Sequence, residues 1–105
     1  MTKDSIFLEQ LGDSPRMRTL QYFIEGRDFD YTLTDLLHAG VSWGTLNIII
    51  PQLLKLGMIV KTRKIGRATL YKINLQHPTI QQLIALYDQL ILQQLTSREE
   101  HVLVH

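Results

Sequence analysis

Six bases stand in a stretch of chain that holds no acid. Asp35 and Asp88 bracket 52 residues, 36–87, which carry Lys55, Lys61, Arg63, Lys64, Arg67 and Lys72. The net charge of +1 hides this split, because the rest of the chain sets five bases against ten acids. Four of the six bases flank Gly66, between two β-like runs at 58–64 and 68–74. Ammonium and guanidinium groups near the tip of a short hairpin suit contact with a polyanion, nucleic acid above all. The bland alternative is a solvated hairpin that blunts its edge with charge. Bases clustered without acids favour the polyanion.

The other side chains with chemistry in them are His77, Asp88, Glu99, His101 and His105. His101 and His105 stand four apart and could chelate if helical, but histidines near a terminus are usually surface residues, so no metal or other cofactor is expected. No nucleophile–base pairing, paired-carboxylate motif or phosphate-binding glycine loop stands out, so the chain is not expected to be an enzyme. There is no cysteine, which excludes disulfides and thiolate metal sites.

At 105 residues, 45% apolar and 20% charged, the chain reads as one ordinary globular domain. The expected division is a domain over 1–96, including a C-terminal helix at 78–96, and a tail at 97–105 whose conformation is left open. No apolar run approaches the roughly 20 residues of a membrane span, and no secretory signal is visible. A cytoplasmic protein with no membrane partner is the expectation.

The elements that must position the bases follow from local signals. Residues 3–11 place Ile6, Phe7 and Leu11 at helical spacing, closed by Gly12. Ser14-Pro15 is a cap followed by a first-turn proline, and Met17, Leu20 and Ile24 continue that helix to Gly26. Residues 27–31 form a loop, with a short strand at 31–33 as one reading. Thr32 and Asp35 resemble a capping box, with Leu33, Leu36 and Leu37 as the buried face of a short helix broken at His38-Ala39-Gly40. Ser42 caps the next helix, whose inner stripe is Leu46, Ile50, Leu53 and Leu54, with Ile49 also favoured as core. Gly57 closes it. Pro51 inside this helix implies a kink or a fresh start. In the second β-like run Tyr71 and Ile73 share one face, Leu70 and Lys72 the other.

His77-Pro78 opens the last helix, where Ile80, Leu83, Ile84, Tyr87, Leu90 and Ile91 repeat at three and four. Leu86 and Leu92 lie off that stripe, so the helix is apolar over more than one face. A single small domain would struggle to cover it, and the six stripe residues are therefore expected to form a homodimer interface. Two short helices joined by a tight turn and followed by a basic hairpin make a helix-turn-helix with a wing. The fold class is mostly α with a small β-hairpin (α+β): a winged helix-turn-helix domain with an additional C-terminal dimerisation helix.

The line YTLTDLLHAGVSWGTLNIIIPQLLKLGMIVKTRKIGRATLYKIN, residues 31–74, resembles the winged helix-turn-helix transcriptional regulators of bacteria and archaea. The arsenic-repressor-like or related archaeal groups are the nearest in pattern. The resemblance implies sequence-specific binding of double-stranded DNA by a homodimer, with residues 42–56 as recognition helix in the major groove and 61–72 as wing. Trp43, Gly44, Thr45, Asn47 and Ile48 would then face base edges, and Arg63, Lys64 and Arg67 phosphate or the minor groove.

The chain departs from that pattern in two respects that matter: Pro51 stands inside the recognition helix, and a base-reading arginine is missing from it. Its recognition helix carries no Arg, the commonest reader of guanine, and its single Lys, Lys55, lies at the far end. Asn47 could read an adenine and Thr45 a base or phosphate. The exposed apolar pair Trp43 and Ile48 fits thymine methyls, or else a protein partner. The competing expectation is a winged-helix protein-interaction module in a larger complex, using the Trp43/Ile48 face.

Overall fold

Each of the first helices begins at a side-chain cap. The structure is a computed structural model describing residues 5–104, with side chains through Ser97. Ser5 Oγ accepts from the Leu8 amide and opens α1 (Ile6–Leu11). Ser14 Oγ accepts from the Met17 amide and opens α2 (Pro15–Glu25), with proline at the first position as expected. Thr32 and Asp35 exchange reciprocal bonds of 2.9 and 3.1 Å, a complete capping box at the start of α3 (Leu33–Leu36). Ser42 Oγ accepts from the Thr45 amide and opens α4 (Trp43–Lys55). Each cap satisfies an amide that the first turn leaves without a partner.

A 3-10 turn, Leu37–Ala39, follows α3 and ends at Gly40, whose φ of +81° only glycine adopts cheaply. This tightening rotates Leu37 outward. It was expected on the buried face with Leu36, but it is exposed while Leu36 is fully buried. The expected interior of α4 is borne out at Leu46, Ile49, Ile50 and Leu53, with Leu54 half-buried. Pro51 does not start a new helix. It lies on the exposed side of one continuous α4, where proline offers no amide to the Asn47 carbonyl.

Strands β1 (Ile59–Ile65) and β2 (Ala68–Ile73) form an antiparallel hairpin with Ile65 opposite Ala68. The loop is thus two residues, Gly66-Arg67, with Gly66 at φ +61°, the positive first position that such a hairpin turn needs. The register slips between Lys61 and Arg63, leaving Thr62 as a bulge. Leu70 and Ile73, on opposite faces by strand parity, are both buried, yet only Ile73 belongs to the main core. Tyr31 forms a single bridge with Tyr71 beside this hairpin, in place of a strand over 31–33.

The core joins all the helices to the hairpin: Phe7 and Leu8 of α1, Leu20, Phe23 and Ile24 of α2, Leu46 and Leu53 of α4, then Ile59 and Ile73. The last helix, α5, runs from Pro78 to Val104 without interruption, past the end expected near Thr96. Nothing between Thr96 and Val104 is a Gly or Pro that would stop it. Ile80 and Leu90, expected at a dimer interface, are instead buried in the chain's own core. Leu83, Ile84 and Tyr87 pack against that core as well. The reason is α1, which lies along α5: the Phe7 and Tyr87 rings meet edge to face at 5.5 Å. Tyr87 Oη donates to Glu25 Oε2 at 2.7 Å, and Arg27 grips Asp88 through two bonds of 2.8 and 3.1 Å. The first half of α5 is therefore a domain helix. Among the described residues, no helix is long and apolar enough to cross a membrane.

Phe7→Ala should cost about 3–5 kcal/mol, because it removes a fully buried ring that links α1, the core and α5. Urea denaturation would show this as a large fall in midpoint at constant slope. A shift below about 1 kcal/mol would mean that α1 is not part of the core.

Candidate nucleic-acid interface

The capped start of α4 points its first turns outward. Trp43, Gly44, Asn47 and Ile48 are exposed and Thr45 is half-buried, as the helical phase requires once Leu46, Ile49 and Ile50 turn inward. Trp43 is 50% exposed and Ile48 63%, which for residues of this size is an open apolar face. Thr45 is partly committed, since the Ser42 hydroxyl donates to its Oγ1 at 2.9 Å. Asn47 Nδ2 donates to the Trp43 carbonyl at 3.0 Å. Among the described residues, nothing bonds Oδ1 or the second amide hydrogen of Asn47, the acceptor and donor that a bidentate contact to adenine uses.

The wing stands beside this helix end. Arg67 at its tip and Trp43 at the start of α4 line one open cleft of about 260 Å³, together with Thr32, Thr34, Thr69 and Tyr71. Three threonines, a tyrosine, an indole and a guanidinium offer donors and an aromatic surface in one place. Lys61, Arg63 and Lys64 line a second trough along β1 with Thr62 and Thr69. The structure thus brings the two groups of candidate residues onto neighbouring surfaces.

Arg63 is not a free cation. Its Nε donates to Asp30 Oδ2 at 2.9 Å and its Nη2 to Oδ1 at 3.2 Å. The Thr62 hydroxyl donates to the same Oδ2 at 2.5 Å. The bonds from Arg63 and Thr62 hold the Asp30 carboxyl down at about 2. Sequence reasoning missed Asp30, because it lies outside the acid-free stretch and 33 positions from Arg63. A faint signal existed: a short strand at 31–33 would have set its predecessor beside the hairpin.

Of the remaining ionisable candidates, His77 and Asp88 are otherwise engaged. His77 accepts from the Thr79 amide through Nδ1 at 3.1 Å, and its Nε2 lies 3.0 Å from the Leu56 carbonyl, so it ties the start of α5 to the end of α4. Asp88 is paired with Arg27. The side chains of Glu99, His101 and His105 lie outside the described residues. Among the described residues, no group of three potential metal ligands comes together.

No protein-family model and no curated sequence matches the chain. Solved structures do. Rv0081 of M. tuberculosis is 26% identical, with 88% of each chain covered and a TM-score of 0.56. MepR, a transcription regulator of a Staphylococcus aureus multidrug efflux pump, is 17% identical over 98% of this chain and 80% of its own, at TM-score 0.62. NadR, solved with 4-hydroxyphenylacetate, is 19% identical over 97% of this chain and 72% of its own, at TM-score 0.66.

The Asp30 carboxyl generates a pH prediction. A depressed carboxyl stabilises the fold fully above its unfolded value near 4, and that contribution disappears as pH falls towards 2. An NMR titration of the Asp30 side-chain carbonyl should find its midpoint well below that of an unpaired aspartate. A midpoint near 4 would mean that the Arg63 contact does not form in solution. The helices, the bulged basic hairpin and the long closing helix together have the winged helix-turn-helix fold seen in transcription regulators.

Proposed function

We propose that this chain binds double-stranded DNA as a homodimeric transcriptional regulator, acting by binding and not by catalysis, in the cytoplasm. One observation carries the reading: the outward turns of α4 and the basic wing meet at the Trp43/Arg67 cleft. A helix in the major groove can then lie beside cations that reach phosphate or the minor groove. MepR, which shares the fold, is itself a transcription regulator, and this supports the reading. In it, Trp43, Gly44, Thr45, Asn47 and Ile48 face base edges and Arg63, Lys64 and Arg67 the backbone. Without an arginine in α4, phosphate contact supplies most of the affinity, while Asn47 and apolar contact with thymine methyls supply sequence preference.

Dimerisation belongs to the distal half of α5. Ile80 and Leu90 are taken up by the chain's own core, whereas Leu92 (64% exposed) and Leu95 lie open, with Ile91 half-buried beside them. Pairing there would set the two recognition helices about one helical turn of DNA apart. Leu92→Glu with Leu95→Glu should yield a monomer in sedimentation velocity, and an unchanged dimer would move the interface elsewhere.

The exposure of Trp43 and Ile48 also favours a second reading, a protein-interaction module whose partner covers that face. The wing separates the two. Arg63→Ala with Arg67→Ala should weaken binding to all duplex sequences and lower the salt slope by about two, one unit for each lost phosphate contact. Unchanged binding by the double variant would remove the wing from the mechanism. Trp43 emission should respond to DNA in the first reading and stay constant in the second.

A further inference from the structure

Among the described residues, Arg63 is the one wing cation with a carboxylate partner. Its Nε and Nη2 are held by Asp30, whose side chain is only 17% exposed, yet Arg63 itself remains 61% exposed. Among the described residues, no bond occupies Nη1. Asp30 cannot drift from this position easily. The next residue, Tyr31, exchanges backbone bonds of 2.7 and 2.8 Å with Tyr71 of β2. The residue after that, Thr32, is locked in the capping box of α3. On the strand side, the Thr62 bulge places its hydroxyl on the same carboxylate oxygen.

We propose that Asp30 is a positioning residue for nucleic-acid binding, which orients the Arg63 guanidinium so that its free Nη1 edge faces a phosphate or a minor-groove acceptor. This rests on the DNA reading above. An unbuttressed arginine on a strand samples many rotamers, and ordering it on binding costs entropy. Here two nitrogens are fixed from one side by a bidentate carboxylate, and the outer edge is left for the ligand.

The opposite view is that Asp30 simply cancels a positive charge and masks Arg63. The two views predict opposite signs. If Asp30 masks, Asp30→Asn removes a negative charge and DNA binds tighter. If Asp30 positions, the same substitution weakens binding although the protein becomes more positive.

The test measures anisotropy of a labelled random-sequence duplex with the full chain at low salt. Asp30→Asn should weaken binding about tenfold, the scale of one charge-assisted hydrogen bond. In the Arg63→Ala background the same substitution should have no effect. A purely structural role would lower binding in both backgrounds, because Lys64 and Arg67 would also be displaced. Equal or tighter binding by Asp30→Asn, or an equal loss in both backgrounds, overturns the proposal while leaving the DNA reading intact. Wild-type protein that does not bind the duplex overturns the DNA reading and the proposal with it. A readout without DNA completes the test: the Arg63 Nε–H signal in ¹⁵N NMR should exchange slowly with water in the wild type and quickly in Asp30→Asn. Fast exchange in the wild type would overturn the proposal.

Discussion

The two hydrogen bonds between the backbones of Tyr31 and Tyr71, with Ile59 and Ile73 in the core, hold the wing to the rest of the domain. An isolated two-stranded hairpin is marginal in water, and its orientation is unconstrained by its own pairing. The bridge adds a one-residue third strand. Its side chain is anchored too, with the Tyr31 ring edge-on to Tyr22 at 5.0 Å and to Phe23 at 6.1 Å. The neighbours on either side carry the constraint outward. Asp30 fixes the bulge of β1, and Thr32 starts α3, which leads through the Gly40 turn to α4. Three consecutive residues thus connect the wing, the supporting helix α2 and the helix-turn-helix.

The electrostatics follow from where the acids go. Asp13 pairs with Arg18 and Asp88 with Arg27, none of them a wing residue. Such exposed pairs contribute little stability, but they withdraw bases of the α2 region from the surface field. The hairpin keeps Lys61, Lys64, Arg67 and Lys72, for which no carboxylate partner is found among the described residues. A net charge of +1 therefore coexists with a cluster of four bases on the hairpin.

What was legible in the sequence was local. Ser14-Pro15, Thr32 with Asp35, and Ser42 announce helix starts through bonds spanning three residues, and each is in place. The burial of Leu46 and Leu53 and the exposure of Trp43 and Ile48 follow from helical phase alone. What was not legible depended on partners far away in the chain. Ile80 and Leu90 look like an unpaired apolar stripe until α1 is known to lie against α5. Leu37 looks buried until the helix tightens into a 3-10 turn. Arg63 looks like a free wing cation because its partner lies in a loop that carries no pattern of its own. For the interface, the residue types were readable, but not their joining in one cleft.

The measurement that tests the account most directly is the salt dependence of wild-type binding to a labelled random-sequence duplex. A dimer that sets two wings and two helix ends against the backbone should lose about a thousandfold in affinity between 50 and 200 mM salt. Absence of binding even at the lowest salt would contradict the account, and the Trp43 face would then belong to a protein partner.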